Sequence, residues 1–284
     1  MMLRRAFLAF ILVAFLAPSV KGANQPQRIV SLAPAATETL FLLEAGDHVV
    51  GVTDYDTFPE VVRELPSVGG YSNPSIERIL SLKPDLVVGI KTFHRELLDR
   101  LSEMGIKTLE LTMHRRLYNV KESILALGKA VEREEAAEAL WGKIASGLEN
   151  LKEEVAHRYR DGVPPILVVV WHEPLIVAGG YSYVDDIMRA IGLPNAAGSI
   201  RYTFPQISRE KLLALNPKIV ILVKAERGMS PDRDAVEKLL YDLPLDILGI
   251  TEVKNDALLH PGPRTLEVAQ VLVEAVAEVS EHAP

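Results

Sequence analysis

Ser75-Ile76-Glu77-Arg78-Ile79-Leu80-Ser81-Leu82-Lys83-Pro84-Asp85-Leu86-Val87-Val88 returns 133 positions later as Ser208-Arg209-Glu210-Lys211-Leu212-Leu213-Ala214-Leu215-Asn216-Pro217-Lys218-Ile219-Val220-Ile221. The register holds without a gap. Serine, glutamate, a basic residue, paired aliphatics, leucine, proline and an aliphatic run recur in order. Each copy reads as a short helix capped by serine, stopped ahead of proline and feeding a buried strand. Two copies half a chain apart predict two equivalent lobes.

Working outward, the first half supplies β-like runs at 28–32, 49–52, 86–90 and 108–111, with helical stretches at 33–43, 76–82 and 95–104 between them. The pattern restarts after Pro165 with strand 166–170, helix 183–191, helix 208–215, strand 219–223 and a closing helix 265–279. Strands alternating with helices predict parallel α/β sheets. Between the halves, 132–160 carries Leu140, Ile144, Leu148, Leu151 and Val155 at spacings of three and four. It reads either as a crossover helix within one domain or as a strut between lobes. Its length favours the strut, because ordinary helices average about 12 residues. The expected organisation is a leader at 1–22, an N-terminal α/β lobe at 23–117, a helical linker at 118–163 and a C-terminal α/β lobe at 164–284. Both lobes are expected to be Rossmann-like with parallel sheets.

Composition narrows the function. The chain has 284 residues, 48% hydrophobic and 24% charged, with a formal charge of -7. That acidity argues against nucleic acid as the main partner. The absence of cysteine excludes zinc fingers, thiol nucleophiles, iron–sulfur clusters and a lipidated cysteine. Arg4 and Arg5 precede 12 apolar residues at 6–17, then Pro18 and the modest residues Val20 and Gly22. The run is too short for a bilayer, which needs about 20 residues. It fits a cleavable secretory leader; a retained anchor is the other reading. Loss of the leader leaves 28 basic against 38 acidic groups, with the periplasm as the expected destination and free secretion the alternative.

Familiar catalytic patterns are missing. No phosphate loop, no G-x-S-x-G elbow and no H-E-x-x-H occur, and Pro174 follows His172-Glu173 where that last motif needs a helix. No catalytic residue and no metal site is predicted. Aromatics and histidines instead fall near strand ends: Tyr55 and Phe58 follow 49–52, Phe93 and His94 follow 87–90, Trp171 and His172 follow 166–170, Tyr71 and Phe204 precede the two repeated helices, and His260 lies in 259–264. Ligands of α/β sheets bind beyond the carboxyl ends of strands. Two facing rims of this kind suit a large, flat, partly apolar ligand. Glu77 and Glu210 sit in the first turns of the repeated helices, where an acid favours the helix dipole by about 0.3–1 kcal/mol. That accounts for either one; a pair, one per lobe, also suits registration on a partner with two basic pockets.

The stretches 28–38 (RIVSLAPAATE), 51–55 (GVTDY), 68–79 (VGGYSNPSIERI), 82–87 (LKPDLV) and 205–210 (PQISRE) resemble the periplasmic binding proteins of ABC importers that carry metal chelates: cobalamin, haem and ferric siderophores. The resemblance covers about residues 28–280 and is greatest to the cobalamin receptors. It implies two lobes bridged by one long helix, with limited lobe motion, and a ligand held between them. It implies a chelate as transported cargo with no cofactor, no enzymatic activity, a monomer, and an inner-membrane permease dimer as partner. In that family one acid per lobe docks into permease arginines; those positions match Glu77 and Glu210. The cleft aromatics match Tyr55, Tyr71 and Phe204, with Trp171, His172 and His260 as further ligand candidates. A haem or siderophore receptor is the alternative, for which Arg115, Arg116, Arg201 and Arg264 are the cationic candidates. An exported enzyme acting on a chelate is a more distant one.

Overall fold

The computed structural model describes residues 25–112, 116–224, 230–258 and 260–282. The expected leader at 1–22 and Arg115 lie outside the described residues. In the first half, β1 (Ile29–Ser31), β2 (Val49–Gly51), β3 (Leu86–Ile90) and β4 (Lys107–Leu111) form a parallel sheet in the order β2-β1-β3-β4. In the second, β5 (Ile166–Trp171), β6 (Ile176–Val177), β7 (Ile219–Lys224) and β8 (Gly249–Lys254) follow the order β6-β5-β7-β8. Here β6 runs antiparallel to β5, a departure from the all-parallel expectation. The central strands β3, β5 and β7 are continuous aliphatic runs because both of their faces are covered.

The helices are α1 (Pro34–Leu42), α2 (Ile76–Ser81), α3 (Lys91–Glu103), α4 (Leu117–Ala130), α5 (Glu134–Arg158), α6 (Tyr183–Ala190), α7 (Arg209–Leu215), α8 (Arg233–Tyr241) and α9 (Thr265–His282). The repeat is structural down to its hydrogen bonds. Ser75 Oγ accepts from the Arg78 N–H at 3.2 Å, and Ser208 Oγ accepts from the Lys211 N–H at 3.2 Å. Lys83 and Asn216, each just before the proline, both take left-handed backbone, with φ of 48° and 42°. That turn ends α2 and α7 and aims the chain into β3 and β7.

The linker region contains two helices, α4 and α5. Its long member, α5, has 25 residues and is about 37 Å long at 1.5 Å per residue. It starts at Glu134 instead of 132, because Glu132 has a positive φ of 55° that separates it from α4. Among the described residues no helix is long and apolar enough to cross a membrane.

Three apolar clusters account for the layers. Val30, Leu32, Val68, Ile79, Val87, Leu98 and Leu101 fill the outer face of the first sheet. Leu167, Val169, Leu212, Val220, Leu222 and Val236 fill the outer face of the second. The inner faces share one cluster. It runs from Ile29, Val88 and Ile90 through Ile124 and Leu127 of α4 and Ile144 and Leu148 of α5 to Val168, Ile221, Val268 and Leu272. The lobes are therefore joined by common core as well as by chain.

Ile221→Ala should lower the unfolding free energy by about 2–5 kcal/mol. Lys143→Ala, a residue exposed on α5, should change it by no more than about 0.5 kcal/mol. Urea denaturation measures both.

Candidate ligand-binding site

The N-terminal rim is built from two adjoining loops. Val52 N–H donates to Pro66 O (3.1 Å), Val68 N–H to Val52 O (2.8 Å) and Asp54 N–H to Gly69 O (2.9 Å). These bonds stitch the loop after β2, which carries Tyr55 and Phe58, to the loop carrying Tyr71. Tyr55 is 57% exposed and Phe58 47%. Tyr71 is half-buried, and burial pushes its phenol up to about 12. Its ring meets Phe93 edge-on at 5.1 Å and His94 at 5.4 Å.

His94, grouped by its sequence position with the rim side chains, is only 1% exposed. Ile90 N–H donates to its Nδ1 at 2.9 Å, so the proton sits on Nε2, which lies 2.5 Å from Tyr71 O and donates to it. The ring thus ties the Tyr71 loop to the end of β3. Burial lowers the His94 pKa, and the bond to Tyr71 O opposes this only in part.

The C-terminal rim depends on Gly179-Gly180. A Cβ on either would overlap backbone carbonyl oxygens, of Tyr202 for the first and Gly198 for the second. That close approach lets Gly179 N–H donate to Thr203 O and Gly180 N–H to Ile200 O, each at 2.9 Å. Tyr181, Tyr202 and Phe204 come together on this loop pair, 45%, 72% and 43% exposed. Phe204 is a candidate from the sequence; Tyr181 and Tyr202 are not among the residues the sequence singles out. The signal available for Tyr181 was its place directly after a glycine pair that follows a strand.

Between the rims, two arginines cross from lobe to lobe. Arg116, just ahead of α4, makes bonds of 2.7 and 2.5 Å to both carboxylate oxygens of Asp186 on α6, and its guanidinium lies 5.8 Å from the Tyr181 ring centre. Arg264, just ahead of α9, makes bonds of 2.9 and 3.0 Å to Glu38 on α1, and lies 5.3 Å from the Phe58 ring centre. Burial pushes the Glu38 carboxyl up, the hydrogen bonds and charge of Arg264 oppose this, and Asp56 and Glu267 add to the rise. Asp56, buried beside it, is also pushed up by burial against hydrogen bonds from Thr37 and Thr53. Neither arginine is a spare cation awaiting an anionic ligand. Arg201 is exposed.

Trp171 donates its indole N–H to Glu173 O at 2.6 Å, and its ring lies 4.7 Å from that of His172. His172 Nδ1 accepts from the Asp232 N–H at 3.1 Å, which ties the end of β5 to the start of α8. His260 is exposed on the segment before α9. Glu77 and Glu210 are both exposed, and hydrogen bonds from Ser75 and Ser208, then from backbone N–H groups, lower their pKa values. Among the described residues no group of three or more histidines and acids could hold a metal ion.

The lowered His94 pKa has a signed consequence. Below the ordinary value of 6.5 the unfolded chain takes up a proton that the folded ring resists. His94 therefore contributes stability that is lost as pH falls from about 6.5 through the folded pKa. The stability gap between wild type and His94→Gln, measured by urea unfolding, should shrink over that range. A constant gap from pH 8 to pH 4.5 would contradict the neutral tautomer.

The family model for the periplasmic binding proteins matches residues 29–239. An ABC transporter substrate-binding lipoprotein of Bacillus subtilis, YvrC, is 27% identical over 260 residues, 89% of this chain and 81% of its own length. The vitamin B12-binding protein of Yersinia pseudotuberculosis is 24% identical over 258 residues, 90% of this chain and 89% of its own. Among solved structures, the apo periplasmic haem-binding protein RhuT of Roseiflexus sp. RS-1 superposes with a TM-score of 0.73 at 26% identity, covering 89% of this chain and 99% of RhuT. Two sheets, a long bridging helix and a rim of exposed aromatics on each lobe fit that assignment. The chain belongs to the periplasmic binding protein family and is a solute-binding protein of an ABC transporter, not an enzyme.

Proposed function

We propose that this protein captures cobalamin or a related corrinoid between its lobes and delivers it unchanged to an inner-membrane permease dimer. The observation that carries the reading is the pairing of exposed aromatic rims with a junction whose arginines are already matched by acids of the protein. Tyr55, Phe58 and Tyr71 on one lobe, and Tyr181, Tyr202 and Phe204 on the other, offer apolar faces to a large flat ring. Arg116 and Arg264 are already matched by Asp186 and Glu38. An anionic ring such as haem, or an anionic siderophore, would have to compete with those internal acids. A corrinoid edged by amides does not. Similarity to a vitamin B12-binding protein over 90% of the chain agrees with this. Haem or a ferric siderophore is the second reading, favoured by the likeness to a haem-binding protein at 26% identity. In that case His172 and His260 become the side chains to test at the metal.

Docking falls to Glu77 and Glu210. Serine and backbone hydrogen bonds hold both carboxylates ionised, one per lobe, at the head of each repeated helix. The same reading takes 1–22 as a removed signal peptide, 23–117 and 164–284 as the lobes and 118–163 as the linker, in a monomer free in the periplasm.

Calorimetric titration with cyanocobalamin, with haemin and a ferric siderophore in parallel, tests the ligand. Saturable one-to-one cyanocobalamin binding is expected, with Phe204→Ala weaker by about 1–3 kcal/mol. Haemin or siderophore binding with no cyanocobalamin signal would replace the corrinoid reading. The double variant Glu77→Ala/Glu210→Ala should bind as wild type and fail to support uptake in cells. Normal uptake would remove the docking role.

A further inference from the structure

The two inter-lobe ion pairs are related to one another. Arg116 and Arg264 are 148 positions apart, and so are their partners Glu38 and Asp186. Each arginine stands immediately before the helix that follows the last strand of its lobe, α4 after β4 and α9 after β8. Each partner acid lies in the first helix of the opposite lobe, Glu38 at the middle of α1 and Asp186 in the first turn of α6. The arrangement is reciprocal: each lobe extends one arginine to the other and receives one. Both contacts are two-pronged, which fixes orientation as well as distance. Each guanidinium also stacks on an aromatic of the lobe it reaches, Arg116 on Tyr181 and Arg264 on Phe58. The acids are the better buried partners, with Glu38 8% and Asp186 12% exposed at the side chain. Salt screens such pairs less than surface ones.

We infer that Arg116 and Arg264 are positioning residues, a reciprocal pair of struts that set the separation of the lobes before any ligand arrives and orient Phe58 and Tyr181 at the junction. With a single tie, rotation of the lobes about it would be opposed only by the shared apolar core, which is non-directional. Two ties on different helices, with α5 behind them, remove that freedom. The inference rests on the function proposed above only in taking the ligand to lie between the lobes. The strut itself is a property of the ligand-free protein.

The test uses the absence of native cysteine. Met104→Cys and Tyr241→Cys put spin labels at exposed sites on opposite lobes. Pulsed dipolar spectroscopy on the ligand-free protein should give one narrow distance distribution. Arg116→Gln/Arg264→Gln, with unchanged far-ultraviolet circular dichroism, should broaden it, and each single substitution should broaden it less. If the double variant does not fold, Arg264→Gln alone carries the test. A distribution as narrow as wild type in these variants would overturn the inference. Cyanocobalamin affinity should fall about threefold to tenfold in the double variant, as a pre-set competent state becomes a fraction of the ensemble. A wild type that binds no cyanocobalamin would fail the corrinoid reading and leave the distance result to decide the struts.

Discussion

Everything in this molecule hangs on one shared apolar layer. Each sheet has two faces to cover, and each lobe covers its outer face by itself. The inner faces are closed by a single cluster that passes through α4, α5 and α9. A fully buried aliphatic side chain is worth about 1.5–3 kcal/mol, and this cluster contains dozens of buried residues. Ion pairs near a surface are worth about 0–1 kcal/mol each, and better buried ones lose much of their Coulombic gain to desolvation. The core therefore supplies the cohesion between lobes. The arginine pairs supply geometry, since hydrophobic contact alone is non-directional.

That division of labour shapes the site. A binding protein whose lobes are already packed together does not spend binding free energy on ordering them, so contact with the ligand appears more fully as affinity. It also keeps its two exposed aromatic rims solvated in the ligand-free state. Tyr71 illustrates the support beneath such a rim. Its loop is held by the neutral imidazole of His94, which is itself locked to the end of β3. A loop tied to a strand end in this way positions a side chain more sharply than a free loop would.

Much of the fold was legible in the sequence because its signals are local. Serine caps, proline stops and aliphatic strand runs made the repeat visible, and with it the two lobes. What escaped notice had weaker local marks. β8 reads Gly-Ile-Thr-Glu-Val-Lys, an edge strand with charges on its open face, and β6 has only two residues. α4 was absorbed into the linker because its apolar residues merge with those of α5. At the proposed rims, position after a strand or before a repeated helix makes Tyr55, Tyr71 and Phe204 candidates, and the same reasoning points to His94, which packs inward. The pairs Arg116–Asp186 and Arg264–Glu38 were invisible, because partners 70 and 226 positions apart leave no local pattern. Their common offset is the one trace they leave, and it means something only once the bonds are known.

The central claim is that one ligand touches both lobes at once. Hydrogen exchange of the backbone, read with and without saturating cyanocobalamin, tests it most directly. The account predicts slower exchange on both rims together, in 53–58 and 69–72 of the first lobe and in 179–181 and 200–206 of the second. Protection confined to one lobe, or found instead where the start of β8 meets the end of α9, would contradict it.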